Sequence, residues 1–482
     1  MYTASGDEGR ATYGADFRSM GELSVLHLEN AGARTTDHFH EGSGFVPQHV
    51  KLTRTVERSL QSVDPAMTIP YHDMSIEAGL VSDGVLDSVF DDKRLWSEAV
   101  YGSAPAFRRA ASVEHMTESL IAHDAKTERT YFAIPDGRWA FLTLPDHASG
   151  GGSVENAYGL LRAPWNQNPS TFVTRLYSDT YIFPDCESLS AMVNPGWRDE
   201  DDVFSPTVPG TDVAYWSYLS EFTVHGNMHG AVGGHVLAGS TATDAALATA
   251  KQTCVDRDAD AAAALGITDA SLSDIYEYFS EGRALWRHGY LEYPSNCRAD
   301  DLATDAYACR PSCNSDDRAT GEQLLRWHLW DRSSGGSLTA DVSACLSDED
   351  LAALGSAFCA AAPFAITGDH AITSMDPSFH PVHSALERIF ALAVINGAVA
   401  LPESEADFTN FCRSAETCED QSNGGLSCCF GHGYGDRWFE NEALGRTTGM
   451  TNADALAQMD PLIGPRYSHP VYQNFAFSAC SF

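Results

Sequence analysis

The sequence predicts a mainly α-helical protein with a central four-helix bundle, long loop-rich insertions, short strands and disulfides. Four segments space their apolar residues as one face of a helix does, and each of them also carries a histidine. The stretches between them are irregular and rich in proline and glycine, and all twelve cysteines follow the first 185 residues. Because facing helices of a bundle project side chains towards its axis, we expect the histidines to meet there.

The first two helices are predicted near the N-terminus, over residues 15–32 and 45–60. Their apolar stripes consist of Phe17, Met20, Leu23 and His27, and of Phe45, His49, Leu52, Val56 and Leu60. A polar, glycine-rich loop over residues 37–44 joins them and contains His38 and His40. Each helix therefore directs one histidine into the core.

The other two helices lie later in the chain. His225 and His229 are four residues apart, so on a helix both imidazoles lie on one face and can contact one point, most simply a metal ion. A single pair at this spacing is also common in ordinary core packing, so the remaining histidines decide between the two interpretations. The fourth helix is predicted after Asp376-Pro377, with one face formed by His383, Leu386, Phe390 and Val394.

Six histidines can then meet in one bundle. Imidazole is a ligand for copper, zinc, iron and nickel, and three neutral imidazoles per ion without a carboxylate or thiolate favour copper. A four-helix bundle can enclose two metal ions, because its facing helices direct ligands towards the axis, and the two ions could bind dioxygen between them. The candidate ligands of two copper ions are His27, His40, His49, His225, His229 and His383.

The composition excludes two classes of partner. The formal net charge is −36, from 66 acidic and 30 basic residues, so repulsion opposes binding to nucleic acid or to an anionic membrane. No run approaches the length of about 18 apolar residues that a membrane-spanning helix needs. The 43% hydrophobic content is that of a folded globular protein.

The cysteines predict an oxidising compartment. Their number is even and they are spread over long loops, which is typical of disulfides, although residues 1–14 lack the apolar core of a signal peptide. We expect a secreted protein, or one in the lumen of the secretory pathway, whose leader is absent from this sequence. The alternative use of some cysteines is a zinc site with loose spacing, built from His288, Cys297, Cys309 and Cys313.

Three motifs occur in order along the chain. The first is His40-Glu-Gly-Ser-Gly-Phe-Val-Pro-Gln-His49, followed later by Ile69-Pro-Tyr-His-Asp73. The second is His225-Gly-Asn-Met-His-Gly-Ala-Val-Gly-Gly234, and the third is Asp376-Pro-Ser-Phe-His-Pro-Val-His383 with Glu387-Arg388 after it. Together they resemble the copper motifs of the tyrosinase, catechol oxidase and hemocyanin family of type 3 copper proteins. The resemblance covers roughly a fifth of the chain, and the step of nine residues from His40 to His49 selects His40 over His38.

The resemblance implies both a ligand set and an activity. One copper would be held by His27, His40 and His49, and the other by His225, His229 and His383. The implied reaction is the oxidation of ortho-diphenols to ortho-quinones by dioxygen, with the monooxygenase reaction on monophenols left open. The implied partners are a phenolic small molecule and dioxygen. Phe379, Gly230 and Ala231 would border the substrate pocket, and Glu221 or Glu41 is the candidate base for a phenol.

Several positions depart from the family pattern. Gln48 and His72 stand where the family has tryptophans. Gly226 follows the first histidine of the second motif, where tyrosinases often have an asparagine that helps a glutamate to orient a water for phenol deprotonation. Asn227 and Glu221 are nearby in sequence but out of register with that pattern. These departures favour diphenol oxidation over monophenol hydroxylation.

The predicted organisation has three parts within 482 residues. A tyrosinase-like copper-binding catalytic domain over residues 1–400 is interrupted by a cysteine-containing helical insertion at 236–370, and a cysteine-rich C-terminal extension at 401–482 packs on the core. Two other functions remain open. A hemocyanin-like reversible dioxygen carrier would use the same coppers behind a blocked entrance, and a non-catalytic structural protein would hold zinc or no metal at these histidines.

Overall fold

The computed structural model describes residues 1–103, 133–145, 154–166, 170–175, 183–194, 212–233, 373–412, 422–437 and 449–462, with shorter pieces elsewhere. The described chain is mainly helical, as predicted. Its α-helices, in chain order, are α1 Gly6–Tyr13, α2 Met20–Ala31, α3 Phe45–Val63, α4 Met74–Ser82, α5 Cys186–Val193, α6 Val213–Ser220, α7 Gly226–Gly233, α8 Phe379–Ile395 and α9 Asn452–Met459.

The first histidine helix, α2, begins at a capping box. The backbone N–H of Glu22 donates to Ser19 Oγ at 3.2 Å, and the N–H of Ser19 donates to Glu22 Oε2 at 2.9 Å. These reciprocal bonds satisfy amides that have no partner within the helix, so α2 starts at Met20, inside the predicted range of 15–32. The helix ends before Gly32, as the sequence indicates.

The last histidine helix, α8, begins at Phe379, just after the Asp376-Pro377 pair. The carboxylate of Asp376 accepts the N–H of Ser378 at 2.8 Å and its hydroxyl at 2.6 Å. Arg175 donates two further hydrogen bonds of 2.6 Å to the same carboxylate. Burial alone would raise the pKa of Asp376, but the guanidinium and the bonds from Ser378 outweigh it, and the pKa is lowered. A buried ion pair therefore anchors the start of α8.

The strands are short, as predicted, and each described strand has two residues. They form three pairs: β1 Ala106–Phe107 with β2 Tyr177–Ser178 in parallel, β3 His235–Val236 with β6 Phe364–Ala365 antiparallel, and β4 Leu291–Glu292 with β5 Ser312–Cys313 antiparallel. The pair formed by β3 and β6 brings together the two ends of the segment predicted as an insertion at 236–370. The chain thus returns to the region of α7 before α8 begins.

Helix α3 is central to the apolar core. Its residues Phe45 and Val50 belong to a large cluster that includes side chains of α5, α6 and α8. Leu52 and Val56 belong to a second cluster, which α2 and Phe379 complete. Because α3 packs on both sides, the side chains on it are fixed from two directions.

Disulfides are present, as predicted, and three join described cysteines: Cys186–Cys480, Cys412–Cys429 and Cys418–Cys428. They are compatible with a secreted protein. Within the part of the chain that the structure describes, no helix is long and apolar enough to cross a membrane.

Most of the predicted insertion lies outside the described residues. This applies to all but a few residues of the helices predicted at 274–288 and 347–362, and to the alternative zinc ligands His288, Cys297 and Cys309. Of the helix predicted at 243–264, residues 249 and 252–260 are described, and all of these except residue 258 are helical.

We predict that Arg175→Leu lowers the free energy of unfolding by about 3–5 kcal/mol, because it leaves the buried Asp376 carboxylate without its cation. Denaturant unfolding monitored by circular dichroism measures the loss. The control is Arg257→Leu, which breaks a largely exposed pair with Asp350 and should cost less than about 1 kcal/mol. Equal losses in the two variants would contradict the anchoring role of the Arg175–Asp376 pair.

Candidate metal centre

All six candidate ligands lie in the core and on different elements. His27 is on α2, His49 on α3, His229 on α7 and His383 on α8. His225 ends a π-helical turn, Glu221–His225, that joins α6 to α7, and His40 lies in the loop between α2 and α3. Their exposed fractions run from 0% for His27, His40 and His225 to 8% for His229. The fold therefore collects histidines from sequence positions that are more than 350 residues apart.

Five of these histidines form two overlapping clusters that could hold a metal ion. The candidate ligand atoms of His27, His40 and His49 all lie within 4.8 Å of one another. The same holds for His49, His225 and His383. His49 belongs to both clusters, and its ring stacks on that of His383 with centroids 4.4 Å apart and an interplanar angle of 8°.

His229 joins the centre through His225. Their Nε2 atoms are 2.8 Å apart and their ring centroids 4.3 Å apart. The ring of His229 is 6.5 Å from that of His383, and His229 lies outside the two clusters. The sequence groups His229 with His225 and His383, whereas the second cluster of the structure combines that pair with His49.

His38, the alternative to His27, is directed elsewhere. Its Nδ1 donates to the carbonyl oxygen of Phe430 at 2.7 Å, on the C-terminal part of the chain. His38 belongs to neither cluster, while His27 belongs to the first.

Hydrogen bonds fix which nitrogen of two rings faces the first cluster. His49 Nδ1 donates to the carbonyl oxygen of Phe45 at 2.8 Å. His40 Nδ1 donates to the carboxylate of Asp37, at 3.0 Å from Oδ1 and 3.1 Å from Oδ2. A ring that donates from Nδ1 presents the lone pair of Nε2 on its other side, as a metal ligand requires. These tautomers are inferred from the hydrogen-bond network.

Burial keeps His49 and His383 neutral. Burial lowers the pKa of His49 well below its usual value, and neighbouring imidazoles, first His40 and then His27, lower it further. Burial also lowers the pKa of His383 well below its usual value, and the neighbouring imidazoles of His49 and His229 lower it further. Among the described residues, Nε2 of His383 is buried without a hydrogen-bond partner. A buried, unpartnered imidazole nitrogen beside other neutral imidazoles fits a metal ligand.

Aromatic rings enclose the centre. The Phe379 ring is 4.1 Å from that of His383 and 5.3 Å from that of His27, measured between centroids. The Phe45 ring is 4.7 Å from the rings of both His49 and His225. Phe379, which the sequence places at the pocket border, thus contacts histidines of both clusters. These walls keep water away from the imidazoles and raise the strength of any charge interaction there.

The predicted base, Glu221, is 2% exposed and is engaged with the histidine loop. Its Oε2 accepts the backbone N–H of Glu41 at 2.7 Å. Glu41, the other candidate base, has a left-handed backbone with φ of 64°, and its Oε2 lies 3.2 Å from Nη1 of Arg287. Both carboxylates therefore support the loop that carries His40.

Gly226 has a local reason to lack a side chain. Its N–H donates to the carbonyl oxygen of Glu221 in the π-turn, and a Cβ on Gly226 would lie 2.6 Å from that oxygen. The extra residue of a π-turn changes the rotation of the helix between Glu221 and His229. Asn227 follows on α7 and is half-buried.

Sequence reasoning missed two residues that support His40. Asp37 accepts the backbone N–H groups of Phe39 and His40 at 2.9 and 2.8 Å as well as the His40 ring. Arg287 lies 3.6 Å from the Asp37 carboxylate and is itself buried. Asp37 could have been found, because an aspartate three residues before a candidate ligand can form such a turn. Arg287 is 250 residues away from Asp37 in sequence and leaves no local pattern.

No family model, curated protein or solved structure matches the chain. The geometry of the two clusters and the three sequence motifs therefore carry the functional argument.

We predict that Asp37→Ala weakens metal binding at the first cluster by 10- to 100-fold, because His40 loses the acceptor that fixes its ring. Titration with Cu²⁺ against a competing chelator measures the affinity. Asp185→Ala is the matched control, since the exposed Asp185 makes similar short-range bonds to Ser188 at the start of α5. An unchanged copper affinity in Asp37→Ala would contradict the role assigned to Asp37.

Proposed function

We propose that the protein is a copper oxidoreductase that uses dioxygen to oxidise ortho-diphenols to ortho-quinones at a coupled pair of copper ions. The observation that carries the proposal is the pair of overlapping clusters of buried histidines that share His49. This arrangement agrees with the three sequence motifs, whose order and spacing resemble those of type 3 copper proteins. Neither line of support depends on the other.

The ligand chemistry favours copper. The two clusters consist of imidazoles, without a carboxylate or thiolate, and this donor set suits copper better than magnesium, calcium or a structural zinc. In the proposed arrangement the ligands of the first ion are His27, His40 and His49, and those of the second are His225, His229 and His383. The helices α2, α3, α7 and α8 would form the four-helix bundle around them. The stacked rings of His49 and His383 would place the two ions side by side.

The reaction has a simple balance. Two ortho-diphenols and one dioxygen give two ortho-quinones and two waters, so four electrons and four protons pass from the substrates to oxygen. When bound, the copper pair supplies dioxygen binding and the transfer of those electrons. The chain supplies the ligand geometry, a dry environment walled by Phe45 and Phe379, and access for an aromatic ring.

The side of the centre near His229 is the proposed entrance. His229 has the largest exposed fraction of the six histidines, 8%, and the small residues Gly230 and Ala231 follow it on α7. The ring of Phe379 lies 6.3 Å from that of His229, so a flat phenolic ring that enters there would meet an aromatic surface. Monophenol hydroxylation is less well supported, because Glu221 is hydrogen-bonded to the histidine loop.

We predict that purified protein loaded with copper binds two ions per chain and oxidises a catechol to its coloured quinone with oxygen uptake. His383→Ala should bind one copper and lose quinone formation, because His383 belongs to the second site. His38→Ala is the control and should keep both, since its ring is hydrogen-bonded to Phe430.

Three outcomes would contradict the proposal in different ways. Reversible oxygen binding, seen as a near-ultraviolet band, without quinone formation would indicate a dioxygen carrier. Stable zinc in place of copper, with no such band, would indicate a structural metal site. Two bound coppers and full quinone formation in His383→Ala would show that the ligand set is wrong.

We predict that Gly226→Asn does not create a monophenol hydroxylase but weakens copper binding at the second site, because the new Cβ collides with the Glu221 carbonyl oxygen and must displace the π-turn. Copper stoichiometry and tyrosine hydroxylation are measured together. Gly435→Ala is the control, since a Cβ there would meet nothing within 4 Å. Rapid tyrosine hydroxylation by Gly226→Asn with two bound coppers would instead support a direct role of this position in hydroxylation.

A further inference from the structure

The loop that carries His40 is attached to the C-terminal part of the chain. The N–H of Ser43 donates to the carbonyl oxygen of Phe411 at 2.9 Å, and Ser43 Oγ donates to that of Thr409 at 2.7 Å. Gly42 and Cys412 form an antiparallel bridge. We call residues 409–412 together with 428–433 the C-terminal clamp.

His432 makes two hydrogen bonds to the loop that carries His40. The N–H of Gly44 donates to its Nδ1 at 3.0 Å, so Nε2 carries the proton and donates to the carbonyl oxygen of Asp37 at 2.7 Å. His432 is fully buried, and burial lowers its pKa to about 4, which agrees with this neutral tautomer. One imidazole therefore ties both ends of the loop between Asp37 and Gly44.

The loop and the clamp are in close contact. A Cβ on Gly42 would lie 2.6 Å from His432 Nδ1, and a Cβ on Gly44 would lie 2.2 Å from the carbonyl oxygen of Gly431. Gly431 itself has a φ of 96°, a left-handed backbone that favours glycine. Glycines on both sides of the contact allow the two backbones to approach without side chains between them.

A disulfide closes the clamp. Cys412 and Cys429 are joined, and both are 1% exposed. The N–H of His432 donates to the carbonyl oxygen of Cys429 at 3.0 Å, three residues after the crosslink. The covalent bond thus fixes the strand that pairs with Gly42 and the turn that presents His432 relative to each other.

We propose that His432 is a positioning residue of the first histidine cluster, which acts through Asp37 and is held in place by the Cys412–Cys429 disulfide. Asp37 is bound at two places: its carbonyl oxygen accepts from His432, and its carboxylate accepts from the His40 ring. Loss of His432 moves Asp37, and His40 with it, whereas His225 and His383 lie on the π-turn and on α8, outside the loop that the clamp holds. The proposal rests on the proposed function only in that copper is the metal.

The test uses His432→Phe, which keeps an aromatic ring but removes the acceptor and the donor, and His432→Gln, which restores one of each. Both are made in the His383→Ala background, where the first cluster alone is complete, and Cu²⁺ is titrated against a competing chelator. We expect His432→Phe to bind copper 10- to 100-fold more weakly and His432→Gln to recover most of the loss. In a His27→Ala background, which leaves the second cluster, His432→Phe should have no effect.

The control is Gln458→Leu, which removes a hydrogen bond of 2.8 Å between Arg54 on α3 and the C-terminal helix α9, away from the histidine loop. It should leave copper affinity unchanged. An equal loss at both clusters, or an equal loss in Gln458→Leu, would overturn the proposal and assign His432 a general role in stability.

Hydrogen exchange of the metal-free protein separates this proposal from the proposed function. The amides of Ser43 and Gly44 should exchange faster in His432→Phe and in Cys412→Ser/Cys429→Ser, and at the native rate in Gln458→Leu. Failure of the native chain to bind copper would overturn the proposed function. Unchanged exchange of these two amides in His432→Phe would overturn the positioning role.

Discussion

The burial of several imidazoles side by side is the constraint on which the centre depends. A buried charge without a partner is costly, so rings at these distances must remain neutral. Burial and mutual proximity lower the pKa values of His49 and His383 accordingly. Each neutral ring then has one donor and one acceptor nitrogen. Hydrogen bonds to the surrounding residues determine which of the two faces the other histidines. The Phe45 carbonyl oxygen accepts a hydrogen bond from Nδ1 of His49, and the Asp37 carboxylate accepts one from Nδ1 of His40, so Nε2 of both rings faces the other histidines.

The helices could be predicted from the sequence, because the signal for them is local. The stripe from Met20 to His27 falls on α2, although Phe17 precedes the helix, the stripe from Phe45 to Leu60 falls on α3, and the stripe from His383 falls on α8. Asp37 has a local sequence signal, but the other supports of the centre could not be predicted. The π-turn has no distinctive spacing of apolar residues that would reveal it in the sequence. Arg287 and His432 both contact Asp37, from which they are separated by 250 and 395 residues in sequence. Hydrophobic periodicity reflects only residues within a few helical turns of one another, so it does not predict contacts between residues far apart in sequence.

Helix α3 links the centre to the C-terminal extension. One side of it carries His49, and another carries Gln48 and Lys51, which donate to Oδ1 of Asn452 at 3.1 and 2.8 Å. Burial lowers the pKa of Lys51 to about 7, so this contact is made by a lysine whose charge is weakly held at neutral pH. Gln48 is therefore part of the contact between α3 and the C-terminal part of the chain.

The imidazole pairs explain how a neutral, buried centre can accept a cation. His27 and His49 have Nε2 atoms 3.4 Å apart, and since His49 donates from Nδ1, its Nε2 is the acceptor and His27 supplies the proton. In the same way, the 2.8 Å separation of the Nε2 atoms of His225 and His229 requires a proton between them. Moving that proton to Nδ1 of the same ring exposes a second lone pair without changing the charge of the ring. The step from a hydrogen-bonded pair to a pair of ligands is thus a tautomer exchange, in which a base or a water must take the proton from Nε2 and return one at Nδ1, because the two nitrogens of a ring point in different directions.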